Sequence, residues 1–397
     1  FAQFVRHGLQ LLPAAPSEQV PLLTRFLVDS CHWVLEDSGT DADGNVAAPA
    51  EPPMSPLTFF SRWRAGLASH FTSSGIAVVA AASSATRGGG RAKGKGKRKR
   101  ATADASADET AASVHSLLVE ALVYGFQYRP VMVRATKEHY KALAGDERVE
   151  AVDVWILVCA LRAAERLGGG GPVRGGAGAQ ATAAAGAPGR GTAGSSRYWM
   201  STIKGLVRSG ALTAEALRSA LSGHPEMVGA TSDALLRLGA ELMSAAAKRS
   251  NTFGPAATSL YSCLLHAAVV VDAGGGGGAL DSSLAQETLC SLLSSALVGT
   301  DGEATLALST LIAFVATCHT SAADCTCPLD GDLANCVRLH AAALRPLLDA
   351  AHELPLPRVA LLYRFASRLA FCPLQGATSG PVSASGLQNE LRLRLSK

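Results

Sequence analysis

Apolar side chains recur every three or four positions along almost the whole chain, and alternation with a period of two is hard to find. In SEQVPLLTRFLVDSCHWVL, Val20, Leu23, Leu27 and Val34 fall near one helical face, and Ser17 is placed to cap the start. SPLTFFSRWRAGLASHF opens with Ser55 and Pro56, a cap followed by proline at the first helical position. ETAASVHSLLVEALVYGFQY and VEAVDVWILVCALRAAERL are apolar over a broad face, and the second closes at Gly168. Further helices are predicted over 196–209, 213–222, 226–249, 255–271, 282–298, 304–318, 332–352, 356–371 and 387–397. Short connections between them imply antiparallel neighbours.

Helix pairs at intervals of roughly 40 residues point to an all-α, HEAT-like α-solenoid of antiparallel helix pairs, with a closed bundle as the alternative. Three stretches interrupt the pattern. Residues 37–54, 83–110 and 168–195 are rich in Gly, Ala, Pro, Ser or charge and cannot bury enough apolar area to order themselves. The expected organisation is therefore a helical segment 1–82, a basic disordered loop 83–110, a helical segment 111–167, a Gly/Ala-rich disordered linker 168–195 and a solenoid segment 196–397. The chain begins on Phe1 within a helical pattern and ends within another, so a longer parent protein is expected.

Charge changes the picture at one place. Of the 36 Lys and Arg, eight lie in RGGGRAKGKGKRKR (87–100), leaving 28 against 32 acidic residues elsewhere. The overall net charge of +4 thus belongs to one segment. Four adjacent cations, Lys97, Arg98, Lys99 and Arg100, have the form of a nuclear-import signal on an extended chain. The same run could act as a salt-sensitive arm on nucleic acid, or as a solvated loop without a partner. It contains no aromatic residue for base stacking. The longest apolar runs are too short to span a bilayer, and no membrane partner is expected.

Catalytic patterns are missing from the sequence. The GGGG at 168–171 and the GGGGG at 274–278 lack the Gly-Lys-Ser/Thr that cradles phosphate. No nucleophile elbow, zinc-protease helix or paired carboxylate motif stands out, and the histidines share no common partner. Nine cysteines sit mostly on apolar helix faces, which suits a reducing compartment. CHTSAADCTCPLDGDLANC could assemble four zinc ligands from Cys318, His319, Cys325, Cys327 and Cys336, but its central spacing is C-x-C. A helix-connecting loop with buried thiols is the preferred reading. A non-enzymatic binding protein or scaffold follows, with no cofactor, no metal and no small-molecule substrate expected.

The order of several short segments resembles the Fanconi anaemia group D2 protein family. PAAPSEQVPLLTRFLVDS is similar to that family's C-P-S-E-E-L-P-V-L-V-R-F-L, and STIKGLVRSGALTAEALRSALSGHPEMV to its basic helix, R-S-G turn and following helix. NTFGPAATSLYSCLLHA resembles S-F-G-x-x-L-Y, GTDGEATLALSTLIAFV the acid-rich turn before ALDVLLEL, and LYRFASRLAF the LSTLAF helix. The resemblance implies an α-solenoid in the nucleus that pairs with the paralogous Fanconi group I protein and clamps double-stranded DNA. It also implies monoubiquitination during interstrand crosslink repair. LQNELRLRLSK aligns without a gap to the family's IQDDMHLVIRK, whose final lysine is the modified one, so Lys397 is the implied ubiquitin acceptor. Ser396 stands where the family has Arg, and Pro357 and Arg358 replace the glutamines of the family's sliding-clamp-binding box, so that activity is not carried over. A generic nuclear HEAT-like scaffold or adaptor is the alternative.

Overall fold

A computed structural model describes residues 1–35, 54–85, 101–143, 148–168, 195–248, 252–274, 282–320, 348–371, 389 and 391–394. The described residues are overwhelmingly helical and include no β-strand; one isolated bridge joins Leu35 to Met54. No described helix is long and apolar enough to cross a membrane. The chain divides into two compact units, Phe1–Leu212 and Thr213–Lys397.

The first unit contains α1 (Ala2–Leu11), α2 (Val20–Ser30), α3 (Pro56–Ala85), α4 (Ala101–Tyr128), α5 (Pro130–Ala142), α6 (Ala151–Gly168) and α7 (Ser196–Ser209). Local chemistry accounts for most of these boundaries. Ser55 Oγ accepts the Thr58 amide at 3.1 Å and Pro56 opens α3, as the sequence predicts. Pro130 separates α4 from α5 because it donates no hydrogen bond to the preceding turn and holds Arg129 extended. Ser195 caps α7 through the Arg197 amide, and Gly210 ends it in the left-handed region at φ +80°, where a Cβ would be strained.

Two local expectations are corrected. Ser17 caps no helix: Ser17–Gln19 forms a 3₁₀ turn, and α2 starts at Val20, where Pro21 is tolerated in the first turn. Ahead of the expected start at 111, α4 reaches back to Ala101. The intervening ATADASADET is rich in alanine, the strongest helix former, and carries acids that favour a helix N-terminus. Residues 83–85 likewise belong to α3, while 36–53, 86–100 and 169–194, which hold most of the expected disordered insertions, lie outside the described residues.

The core of this unit is built around α6, which packs against α3, α4 and α7. Val152, Trp155, Ile156, Cys159, Ala160 and Leu161 are all buried although they point in every direction around the axis, as befits a helix enclosed on all sides. The other fully buried aromatics, among them Trp63, Phe126 and Trp199, extend this core onto its neighbours. Because α7 docks on α6, the helix following the Gly/Ala-rich stretch belongs to the first unit. The division between the two units lies at 212/213.

The second unit contains α8 (Ala214–Ser222), α9 (Pro225–Ala230), α10 (Ser232–Lys248), α11 (Phe253–Gly274), α12 (Ser282–Val298), α13 (Asp301–Thr320) and α14 (Leu356–Phe371). Here α11 packs on α8, α9, α10 and α12, while α13 packs on α10, α12 and α14. The helix expected over 226–249 is broken at Thr231, whose hydroxyl donates to the Met227 carbonyl at 2.8 Å and closes α9. Of the helix expected over 332–352, only the end from Leu348 is described, leading into a turn at Ala350–Glu353. The expected 387–397 helix is represented by Asn389 and residues 391–394, which are helical. Leu391 is fully buried, and Arg394 donates to the Leu348 carbonyl at 2.8 Å and to Asp349 at 2.5 Å.

Candidate nucleic-acid interface

A one-sided distribution of charge marks α5 and α7 of the first unit. These two helices carry Arg134, Lys137, Lys141, Arg197, Lys204 and Arg208 against a single acid, Glu138. Arg134, Lys137 and Lys141 fall at i, i+3 and i+7, which puts them on one edge of α5. Arg197, Lys204 and Arg208 fall at i, i+7 and i+11, which likewise gathers them on one edge of α7. The opposite faces hold each helix in place. Met132, Val133, Thr136 and Tyr140 bury α5; Trp199, Met200, Ile203, Leu206 and Val207 bury α7.

One contact joins the two edges. The Lys137 ammonium lies 4.3 Å from the centroid of the half-exposed Tyr198 ring and 5.9 Å from that of Trp199, so α5 reaches the start of α7 by a cation–π contact. Arg134, Lys141, Arg197 and Arg208 are exposed. Aromatic surface among cations suits a polyanion whose bases or sugars can lie against a ring while phosphates meet Lys and Arg. This surface can bind.

Beneath it, a buried polar cluster fixes the geometry. Asp153, at the third position of α6, is 1% exposed. Its carboxylate accepts from Arg64 Nε and Nη2 of α3, each at 2.5 Å, from the Tyr140 hydroxyl of α5 at 2.9 Å, and from the Glu150 amide at 2.9 Å. Hydrogen bonding to Asp153 raises the Arg64 pKa further and keeps it charged. Burial pushes the Tyr140 hydroxyl well above its usual value, and the neighbouring Asp153 charge adds to the shift, so it remains a donor. Asp153 thereby ties α3, α5 and α6 together and sets the seat of the basic α5 edge. Burial also pushes the Cys159 thiol to about 12 and the Cys263 thiol to about 11, as expected of inert, packed cysteines.

The second unit offers a cleft of about 460 Å³ where α10, α11 and α13 approach, bordered by Ala247, Gly254, Asp301, Gly302 and Thr305. Beside it, Thr300 and Glu303 form a capping box: the Glu303 carboxylate accepts from the Thr300 amide at 2.8 Å and from its hydroxyl at 3.0 Å. Arg358, 7% exposed, reaches from α14 to pair with Asp301. In the segment LPRVALLY, Arg358 and Leu362 are thus committed to the unit's own packing.

Of the residues singled out for function in the sequence, Lys97, Arg98, Lys99, Arg100 and Lys397 lie outside the described residues, as do Cys325, Cys327 and Cys336; Cys318 and His319 belong to the last turn of α13. Among the described residues, no three His, Cys, Asp or Glu side chains gather as metal ligands would. The α5–α7 face was legible only as cations at helical spacing with one acid among them, a signal overshadowed by the contiguous run at 87–100. No protein-family model matches the chain, and no curated protein matches it.

Proposed function

We propose that this chain is a scaffold for DNA interstrand crosslink repair in the nucleus. In this reading it forms a HEAT-like α-solenoid of antiparallel helix pairs, binds double-stranded DNA together with a paralogous Fanconi group I partner, and is monoubiquitinated at Lys397. The resemblance in the order of its short segments supports this assignment, and so does the helical architecture of both units. The observation that carries the DNA-binding part is the α5–α7 surface, with six cations against one acid and Lys137 seated on Tyr198. Phosphate neutralisation by such a surface releases counterions, so affinity falls steeply with salt. The run Lys97–Arg100 serves nuclear import in this reading and adds only weak affinity.

The test is binding of a duplex across a salt series by the whole chain and by Arg134→Ala, Lys137→Ala and Arg197→Ala. Each phosphate contact removed lowers the slope of log K against log salt by about 0.9. An unchanged slope in all three variants would remove DNA from this surface. For the modification, reconstituted ubiquitination with the paralogous partner and DNA compares wild type with Lys397→Arg. Undiminished single-site modification would move the acceptor elsewhere, with Lys248 or Lys204 the next to test.

A further inference from the structure

Four glycines inside helices share one use. At Gly8 of α1, Gly66 of α3, Gly125 of α4 and Gly239 of α10, a Cβ would stand 3.0, 2.9, 3.0 and 2.8 Å from Leu27, Leu12, Val28 and Leu260 respectively. Each is a bare spot that lets another element of the same unit come close to the helix backbone.

Gly205 departs from this pattern. It lies in the body of the 14-residue α7, where glycine weakens a helix relative to alanine, and it is exposed. A Cβ there would meet nothing within 4 Å. Backbone conformation does not require glycine either, since Gly210 is the one glycine with positive φ among the described residues. Neither the packing of the chain nor its dihedral angles account for this residue. Gly229, also exposed with open space around it, is no parallel. It belongs to the closing turn of the six-residue α9 and has no Lys or Arg within four positions.

The surroundings of Gly205 are cationic. Lys204 adjoins it, Arg208 follows by three positions and Arg197 precedes it by eight, so all three border the same outward side of α7. Tyr198 precedes Gly205 by seven positions and shares its flank about 10 Å along the helix. Lys137 of α5 rests on that ring at 4.3 Å. The bare backbone is thus bordered by the α7 cations and lies on the flank that α5 reaches.

We propose that Gly205 is the point where the sugar–phosphate backbone of a bound duplex crosses α7 at close range. The proposal rests on the DNA-binding reading of the α5–α7 face and adds a positioning residue that acts through the absence of a side chain. Close approach is what the chain's other helix-interior glycines serve, and here the approaching body is not part of the chain. Charge selects it: the cations around Gly205 attract a polyanion, and Glu138 is the single acid on the two helices. Without a Cβ, a sugar or phosphate can lie against the α7 backbone while Lys204 and Arg208 meet its oxygens. A side chain at 205 holds the strand off and lengthens those contacts.

Duplex binding and thermal unfolding of the whole chain, measured on the same variants, test it. Gly205→Gln should weaken binding about 10-fold, the worth of one good hydrogen bond, and the smaller Gly205→Ala about 2- to 3-fold. The salt slope should stay close to that of the wild type, because no cation is removed. Both variants should unfold at a higher temperature than the wild type, so stability and affinity move in opposite directions. A glycine with a purely structural role would lower both. Gly229→Gln, in the second unit, should leave the affinity unchanged. Wild-type affinity in Gly205→Gln overturns the proposal, and leaves the DNA reading standing where the Arg134, Lys137 and Arg197 variants still lower the slope. Equal weakening by Gly229→Gln overturns it as well. A chain that binds no duplex overturns both.

Discussion

Replacing Asp153 with alanine should be the most damaging single change in the first unit that removes no apolar packing. It deletes the acceptor for two Arg64 nitrogens, the Tyr140 hydroxyl and the Glu150 amide. Removing one partner of a buried ion pair costs about 3–5 kcal/mol, because the other charge is stranded. Here the Arg64 side chain retains 19% exposure and can partly rehydrate, which favours the lower end. Tyr140 is 4% exposed, and its stranded hydroxyl adds about 1 kcal/mol. The expected loss is therefore about 3–4 kcal/mol, a large part of the ~5–15 kcal/mol that stabilises a domain. With a urea dependence of ~2–3 kcal/mol per molar, the midpoint moves down by more than about 1 M. All four tryptophans, Trp33, Trp63, Trp155 and Trp199, lie before residue 212, so their fluorescence reports unfolding of the first unit while far-ultraviolet dichroism reports both. Tyr140→Phe should cost about 1 kcal/mol in the wild type and close to nothing in the Asp153→Ala background, since the hydroxyl then has no carboxylate to lose. A loss below about 1 kcal/mol for Asp153→Ala, or equal costs of Tyr140→Phe in both backgrounds, would refute the cluster as the fastener of α3, α5 and α6.

Two further outcomes follow from packing and from protonation. Gly239→Ala should destabilise the second unit by about 1–3 kcal/mol, because the new Cβ would stand 2.8 Å from Leu260 and 3.0 Å from the buried Tyr261 ring. Gly205→Ala, at an exposed position of α7 with nothing within 4 Å, should stabilise its helix by about 0.5–1 kcal/mol; thermal unfolding of the two variants should shift in opposite directions. The Thr300 amide, foremost among its partners, holds the Glu303 carboxyl below its ordinary value of 4.5. Its folded pKa lies below the unfolded one, so the cap's contribution is complete above pH 4.5 and disappears as pH falls through the lowered value. Glu303→Ala should accordingly lower the thermal midpoint at about pH 7 and have little effect at about pH 3; an equal deficit at both would exclude the carboxylate.

Helix identity was legible because it rests on local chemistry that the chain carries with it. The predictions over 196–209, 282–298 and 356–371 coincide with α7, α12 and α14; in α7 the apolar spacing agrees with the Ser195 cap and the terminating Gly210. Where two local signals competed, the sequence alone could not rank them. Ser17 looked like a cap, but Pro21 set the start of α2; Thr231 looked like a helix interior, but its hydroxyl closed α9. The functional surfaces depended on something else again. The α5 and α7 edges are separated by more than fifty residues and become one basic face only because Asp153 seats α5 and α6 while Trp199 buries α7. Phe4, Leu22, Phe26 and Trp33 are exposed although apolar; spacing reveals that a side chain is apolar and not whether another helix covers it. Periodicity is a property of neighbours along the chain. Coverage is a property of the packed unit, and only tertiary structure decides which apolar and charged edges are left facing water.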